Sequence, residues 1–230
     1  MKKFSLYGFD AFIDIKDEKL QFLRPILEQW AKINRDYTEQ SRIADERDEG
    51  NYYWFTERAN LSALAGAIWR CGGFAAEEYS ARKGDEKSHG RVDLFFKFAG
   101  KNIVCEAKHD WLYFPNAKTD VTPTRLVNCL NSALEDVEHT LKANSCDFGL
   151  ALAFITPYWD YTKQQDPNTK NCRPDQTIDK FQQTFEENMY DELGASFYVY
   201  LEDRTNTPIV TGTHNNEAYS TIILIGKIAE

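Results

Sequence analysis

The chain has 230 residues, of which 42% are hydrophobic and 27% charged, which excludes a disordered chain and allows a core that needs no disulfide or metal. Its longest apolar run, residues 148–155, is shorter than the roughly 20 residues that cross a bilayer, and its first residues do not resemble a secretory signal, so we expect no membrane contact and a cytoplasmic location. The net charge of -9 argues against a surface covered by phosphate contacts but is compatible with a local basic strip.

The first fifty residues predict a strand and a helix that are added to the main core. Residues 4–15 have a strand-like pattern, and the apolar residues after them recur at helical spacing: Leu20, Leu23, Leu27, Trp30 and Ile33. Pro25 must lie in the first turn of that helix or kink it. The highly charged residues 36–50 predict an exposed helix end and a linker.

Residues 54–157 predict the main core, in the order helix, three strands, helix, strand. The first helix spans about residues 56–70 and ends at Gly72-Gly73. Three extended segments follow, at residues 74–81, 91–98 and 102–109. Thr122-Pro123 then opens a helix, with threonine as its cap and proline in its first turn. The apolar run at 148–155 has the length of a strand that is covered on both faces.

Residues 158–230 predict a C-terminal addition, with a polar loop, a helix at about 175–193 and strands at 197–201 and 219–228. The whole chain therefore predicts a single α/β domain over residues 1–230, with a mixed central sheet flanked by helices. The five cysteines form no Cys-x-x-Cys pair, which favours free thiols over a structural zinc site.

The second and third core strands predict a hairpin that carries charge on one face. If the turn lies at Gly100-Lys101, so that Ala99 pairs with Asn102, then Asp93 lies opposite Lys108 and Phe95 opposite Glu106. Alternation then collects the following residues on one apolar face: Val92, Leu94, Phe96, Phe98, Ile103, Cys105 and Ala107. The other face holds two acids and an ammonium, which are costly to bury unless they pair or bind a metal.

A third acid lies on the helix before this hairpin. Glu57 stands at the end of an apolar stripe formed by Leu61, Leu64 and Ile68, so we expect it to point toward the sheet. Either Glu77 or Glu78 could approach the same cluster, and the sequence does not choose between them.

This arrangement resembles the PD-(D/E)XK nucleases, the restriction-endonuclease-like superfamily. Asp93 matches the first acid of the motif, Glu106-Ala107-Lys108 match its Glu-x-Lys, and Glu57 matches the acid often found on the first core helix. Val92 stands where the motif name has proline, a position that varies in the family. The resemblance covers about residues 54–157 and implies a restriction-endonuclease-like core.

The resemblance implies metal-dependent hydrolysis of phosphodiester bonds in nucleic acid, with DNA as the expected substrate. Asp93, Glu106 and the carbonyl of Ala107 would hold Mg²⁺ or Mn²⁺, because these ions prefer hard oxygen ligands. Lys108 would position a water or help to deprotonate it, or neutralise charge in the transition state, and Glu57 would bind the metal directly or through water.

The neighbouring sequence gives the site a basic surround. Between Arg82 and Lys108 there are seven basic residues against four acidic ones, which suits docking of a phosphate backbone. Trp111, Tyr113 and Phe114 follow the motif and could stack on bases, although aromatic residues at this spacing are more often core.

Several other interpretations stay open. Asp93, Glu106 and Lys108 could form a salt-bridge cluster in a non-catalytic nuclease-fold protein that acts as a binding or scaffold module, with a homo-oligomer or a protein partner. A carboxylate pair could also serve a glycosidase. Asp14-Ile15-Lys16 repeats the tripeptide pattern, but Asp10 is too close upstream to be its partner across a hairpin.

Overall fold

A mixed β-sheet organises the computed structural model, which describes residues 2–6, 9–43, 56–82, 89–113, 123–143, 145–160, 190–203, 217–218 and 221–229. The strands are β1 (Lys2–Leu6), β2 (Phe9–Ile15), β3 (Phe74–Arg82), β4 (His89–Phe98), β5 (Lys101–Tyr113), β6 (Phe148–Asp160), β7 (Phe197–Asp203), β8 (Glu217–Ala218) and β9 (Thr221–Ala229). A 3-10 helix (Glu18–Leu23) precedes α1 (Arg24–Ile43), followed by α2 (Glu57–Arg70), α3 (Pro123–Ala143) and the short α4 (Tyr190–Leu193). The predicted α/β class is confirmed.

The sheet has the order β1-β2-β7-β9-β6-β5-β4-β3, and β8 pairs with the C-terminal end of β6, at Trp159 and Asp160. All these neighbours are antiparallel except β5 and β6, which are parallel and joined through α3. A parallel pair needs such a crossover, because a tight turn cannot bring the chain back to the same end of the sheet. In the parts of the chain that the structure describes, no helix is both long and apolar enough to span a membrane.

Hydrophobic layers cover both faces of the sheet. Residues of α1 and α2 pack in the first layer, and residues of α3 in the second. Strand β6 alternates between them: Leu152 and Phe154 contact the first layer, and Ala153 and Ile155 the second. The predicted strand covered on both faces is therefore confirmed.

The N-terminal segment differs from the prediction. Residues 4–15 do not form one strand, because β1 and β2 pair as an antiparallel hairpin that closes at Leu6 and Phe9. The apolar residues change from even positions in β1 to odd positions in β2, and the single-strand prediction does not account for this change of phase. Pro25 lies in the first turn of α1, where a missing N–H breaks no helical hydrogen bond. The helix continues to Ile43 and buries Thr38, so residues 36–43 are not simply an exposed end, while residues 44–50 lie outside the described residues.

The main core follows the predicted order more closely. Thr56 caps α2, with its hydroxyl accepting the Ala59 N–H at 3.3 Å, and Gly72 follows the helix with a φ of 82°. The three extended segments are β3, β4 and β5, and the final two predicted strands are β7 and β9. Of the helix predicted at 175–193, only Tyr190–Leu193 is described, and Thr122 also lies outside the described residues.

Candidate active site

The pairing of β4 with β5 is shifted by two residues from the predicted register. Phe98 pairs with Lys101, and the ladder continues to Leu94 and Cys105. Ala99 and Gly100 therefore form the turn, with φ values of 50° and 76°. Positive φ at both central residues is typical of a type I′ turn, whose twist matches the strands. The predicted pairs of Asp93 with Lys108 and Phe95 with Glu106 are wrong, but a shift of two leaves each side chain of β5 on its predicted face.

A kink in β3 and β4 changes the alternation beside Asp93. Glu77 pairs with Leu94 and Tyr79 pairs with Val92, and Glu78 between them has a φ of 53°. Leu94 packs in the layer of α1 and α2, whereas Val92 packs in the layer of α3. The prediction that Val92 and Leu94 share a face is therefore wrong, because regular alternation ends at the kink.

The kink turns the Asp93 carboxylate toward β5. Its Oδ2 accepts a hydrogen bond from the backbone N–H of Ala107 at 2.8 Å. The pairing of β4 with β5 ends at Leu94 and Cys105; if it continued, Asp93 would pair with Glu106 and Val92 with Ala107. The Asp93 carboxylate therefore accepts the Ala107 N–H at a position where a backbone carbonyl of β4 would be expected to accept it. We call this gap between β4 and β5, bounded by Asp93 and Glu106–Lys108, the fork.

Helix α3 supplies partners to both charged residues of the Glu-x-Lys motif. Glu106 is only 2% exposed and accepts a hydrogen bond from the Thr140 hydroxyl at 3.0 Å. Lys108 Nζ contacts Asp136 Oδ2 at 2.7 Å. Burial of a carboxylate is costly unless it is hydrogen-bonded, and Thr140 provides such a bond.

Glu57 reaches the fork from the N-terminal turn of α2. Burial raises the pKa of its carboxyl group, and the charges of Asp93 and Glu106 raise it further, while Lys108 opposes them. These effects require the four groups to lie near one another. For Lys108, burial lowers the pKa, but the hydrogen bond and charge of Asp136, with Asp93 and Glu57, outweigh it and leave the pKa raised. The structure thus brings Glu57, Asp93, Glu106 and Lys108 together.

The other candidate acids have partners elsewhere. Glu78 pairs with Arg58 at 2.5 Å and with Arg91 at 2.9 Å, and the pair with Arg91 lowers its pKa. Glu77 accepts a hydrogen bond from Ser62 at 2.9 Å. Asp14 lies on β2, which β7, β9 and β6 separate from β5. Neither the undecided glutamates nor this repeated tripeptide adds to the fork.

Several groups lie on β5 beyond the motif. His109 Nε2 is 3.0 Å from the Thr156 hydroxyl, its ring meets the half-exposed Trp111 edge to face, and burial lowers its pKa to about 4. Asp110 forms a two-pronged ion pair with Arg125 of α3. Burial raises the pKa of Cys129 to about 12, so that thiol stays protonated at neutral pH. Phe114, Lys83 and Lys87 lie outside the described residues, as does the side chain of Tyr113.

The sequence reasoning missed Asp136 and Thr140, although a signal for Thr140 exists. On α3 the apolar positions Leu126, Leu130, Ala133 and Val137 form a buried stripe, and Thr140 continues that stripe with no exposed surface. A buried hydroxyl needs a hydrogen-bond partner, which is either the carbonyl four residues earlier on its own helix or a group on the surface against which the helix packs. Thr140 lies within hydrogen-bond distance of both, because its hydroxyl is 3.2 Å from the Asp136 carbonyl oxygen and 3.0 Å from Glu106 on β5.

Comparison with known proteins adds no family to this geometry. No protein-family model matches the chain, and neither curated proteins nor solved structures give a match. Within the described residues, no group of three or more His, Cys, Asp or Glu side chains is arranged as a ligand set for a metal ion.

Proposed function

We propose that this chain is a metal-dependent nuclease that hydrolyses phosphodiester bonds, with DNA as its substrate and a restriction-endonuclease-like core. The observation that carries the proposal is the fork, where Asp93 bonds across to Ala107 and lies beside Glu106, Lys108 and Glu57. The order α2, β3, β4, β5, α3, β6 agrees with the helix, three strands, helix and strand predicted for residues 54–157, the part of the chain that the resemblance covers.

The donors at the fork suit Mg²⁺ or Mn²⁺. Asp93 and Glu106 offer two carboxylates, and their charges add to the effect of burial in raising the pKa of Glu57, while Lys108 and Arg58 act in the opposite direction. The N–H and C=O of a strand residue point to the same side, and the Ala107 N–H points to Asp93, so we expect its carbonyl to face the fork as well. Two carboxylates, a carbonyl and waters form an oxygen ligand set typical of hard cations.

Each residue then has a distinct role in the reaction. A bound divalent cation supplies an acidified water and charge neutralisation at the scissile phosphate. Asp93 and Glu106 would hold that cation, and Glu57 would bind it directly or through water. Lys108 stays protonated, as its raised pKa implies, and therefore stabilises negative charge on the phosphate rather than removing a proton.

The surface next to the fork suits a nucleic acid more than the overall charge suggests. Lys97 is exposed and its Nζ lies 5.9 Å from the centre of the Phe95 ring, which itself stacks on the exposed Tyr79 at 5.0 Å. Lysine ammonium groups can contact phosphates, and exposed aromatic rings can stack on bases.

A cleavage assay tests the proposal. The purified protein is incubated with plasmid, linear double-stranded and single-stranded DNA and with RNA, in Mg²⁺ or Mn²⁺ and in a chelator. We expect metal-dependent cleavage of DNA, a loss of about 100-fold or more in Asp93→Asn, and no loss in Asp14→Asn, which changes the same residue type on a distant strand. If no substrate is cleaved, or if Asp93→Asn cleaves like the unchanged protein, the proposal is wrong.

A non-catalytic nuclease-fold binding module is the second candidate. The 2.7 Å pair of Lys108 with Asp136 and the Thr140 bond to Glu106 show that both groups already have protein partners, as in a structural ion-pair network. The net charge of -9 also suits a module whose partner protein supplies the basic surface. Calorimetric titration with Mn²⁺ separates the candidates, because a nuclease binds the ion through Asp93 and Glu106 and an ion-pair network does not.

A further inference from the structure

Two residues of α3 hold the ends of the Glu-x-Lys motif. Thr140 contacts Glu106, Asp136 contacts Lys108, and they lie one helical turn apart, linked by a 3.2 Å bond from the Thr140 hydroxyl to the Asp136 carbonyl. We infer that Asp136 and Thr140 are positioning residues, which orient Lys108 and Glu106 respectively for catalysis. The inference rests on the proposed nuclease function.

Thr140 fixes the carboxyl group of Glu106, the buried residue that is proposed to bind the cation. Its hydroxyl carries one hydrogen and lies within reach of two acceptors, the Glu106 carboxylate at 3.0 Å and the Asp136 carbonyl at 3.2 Å. The carboxylate is charged and nearer, so it is the stronger acceptor. A donor on Oε1 restricts rotation of the carboxyl group and so sets the direction of Oε2. Residues that orient metal ligands in this way are typically worth 10 to 100-fold in affinity or activity.

Asp136 anchors a side chain that would otherwise sample many positions. Lys108 ends in a compact ammonium on a flexible four-carbon chain, and 34% of its side chain is exposed. Asp93 and Glu57 also attract this ammonium, from β4 and α2. The Asp136 contact holds it on the α3 side of the fork, where it neither covers the Asp93 carboxylate nor competes with a cation there. Neither α3 residue needs to touch the substrate.

Conservative and disruptive variants separate positioning from general loss of structure. Thr140→Ser keeps the hydroxyl and Thr140→Val keeps the shape, while Asp136→Asn keeps an acceptor oxygen and Asp136→Ala removes it. Glu138→Gln, at an exposed position of the same helix, is the matched control for lost charge. We expect kcat to fall about 10 to 100-fold in Asp136→Ala and Thr140→Val, with KM unchanged. The conservative variants Asp136→Asn and Thr140→Ser should recover kcat.

Two measurements do not depend on catalysis. Calorimetry with Mn²⁺ should show about 10-fold weaker binding in Thr140→Val and unchanged binding in Thr140→Ser. NMR relaxation of the lysine ammonium groups should show that Lys108 is more ordered than the exposed Lys97, and that Asp136→Ala removes this difference.

The outcomes distinguish this inference from the proposed function. If the unchanged protein cleaves DNA but Thr140→Val and Asp136→Ala keep its kcat, or if the loss appears in KM alone, the positioning roles are wrong. They are also wrong if Thr140→Ser is impaired as strongly as Thr140→Val. If the unchanged protein cleaves nothing while Mn²⁺ binding and Lys108 order respond as expected, the nuclease proposal fails and the two orienting contacts stand.

Discussion

Acid should destabilise this protein through His109. Burial lowers the pKa of this imidazole from its ordinary 6.5 to about 4, and Nδ1 has no hydrogen-bond partner among the described residues. Protonation would place a charge and an unpaired donor in this partly buried position beside Trp111. The folded protein therefore resists a proton that the unfolded chain accepts.

The sign and size of the effect follow from the two pKa values. Well above pH 6.5 the ring is neutral in both states, so His109 contributes no pH dependence there. Between pH 6.5 and 4 the unfolded chain binds the proton and the folded chain does not, so stability falls by about 1.4 kcal/mol for each pH unit. The loss reaches about 2 kcal/mol at pH 5 and about 3 kcal/mol at pH 4.

Urea unfolding at about pH 7 and about pH 5 measures this loss. We compare the unchanged protein with His109→Gln, which does not titrate and can still bond to Thr156, and with His139→Gln, which removes an exposed histidine of α3. Between about pH 7 and about pH 5, the unchanged protein should lose about 2 kcal/mol more of its free energy of unfolding than His109→Gln loses. His139→Gln should lose as much as the unchanged protein. Equal pH dependence in all three would refute the reasoning.

Three further predictions concern the fork and its hairpin. Thr140→Val should lower the free energy of unfolding by about 1.5–3 kcal/mol, because it removes this donor from the buried carboxylate of Glu106. Thr38→Val is the comparison, because it removes a 3.0 Å bond to a neutral carbonyl, and it should cost about 1 kcal/mol or less. Thermal or urea unfolding measures both losses. Glu57→Gln should raise the melting temperature in a chelator at neutral pH, since a raised pKa means that the charged form destabilises the folded state, and this gain should shrink as the pH falls toward 4.5. Gly100→Ala should lower the free energy of unfolding by about 1–2 kcal/mol, and Ala99→Asn should raise it by as much as about 1 kcal/mol. Both positions have positive φ, which glycine and asparagine adopt more readily than alanine.

Each of these three has an outcome that contradicts it. Equal losses in the two threonine variants would show that the Thr140 bond gains nothing from the charge of its acceptor. A Glu57→Gln protein that melts lower than the unchanged protein in a chelator would show that this carboxylate is favourably paired. A stabilising Gly100→Ala, measured by urea unfolding, would place the turn elsewhere and remove the register on which the fork depends.

Local pattern was sufficient for most of the core. The cap at Thr56, the glycine after α2 and the alternation of β5 depend on residues that are close in sequence, so the helix and strand limits follow from them. The same alternation predicted Glu106 and Lys108 on one face, and an error of two residues in the register did not move them. The reversal between β1 and β2 was missed, although the apolar residues change from even positions (Phe4 and Leu6) to odd positions (from Phe9 onward), as they must when Leu6 pairs with Phe9.

The sequence by itself determined the α/β class, the order of the core elements and the faces of the Glu-x-Lys residues, because each depends on periodicity or on a capping residue within a few positions. Only the tertiary structure decided where the Asp93 carboxylate points, since the kink at Glu78 depends on how two strands pair. It also decided that Asp136 and Thr140 meet the motif, because a helix 28 to 34 residues further along the chain must first cross the sheet and pack on β5. Contacts over that distance depend on packing, which no local pattern encodes.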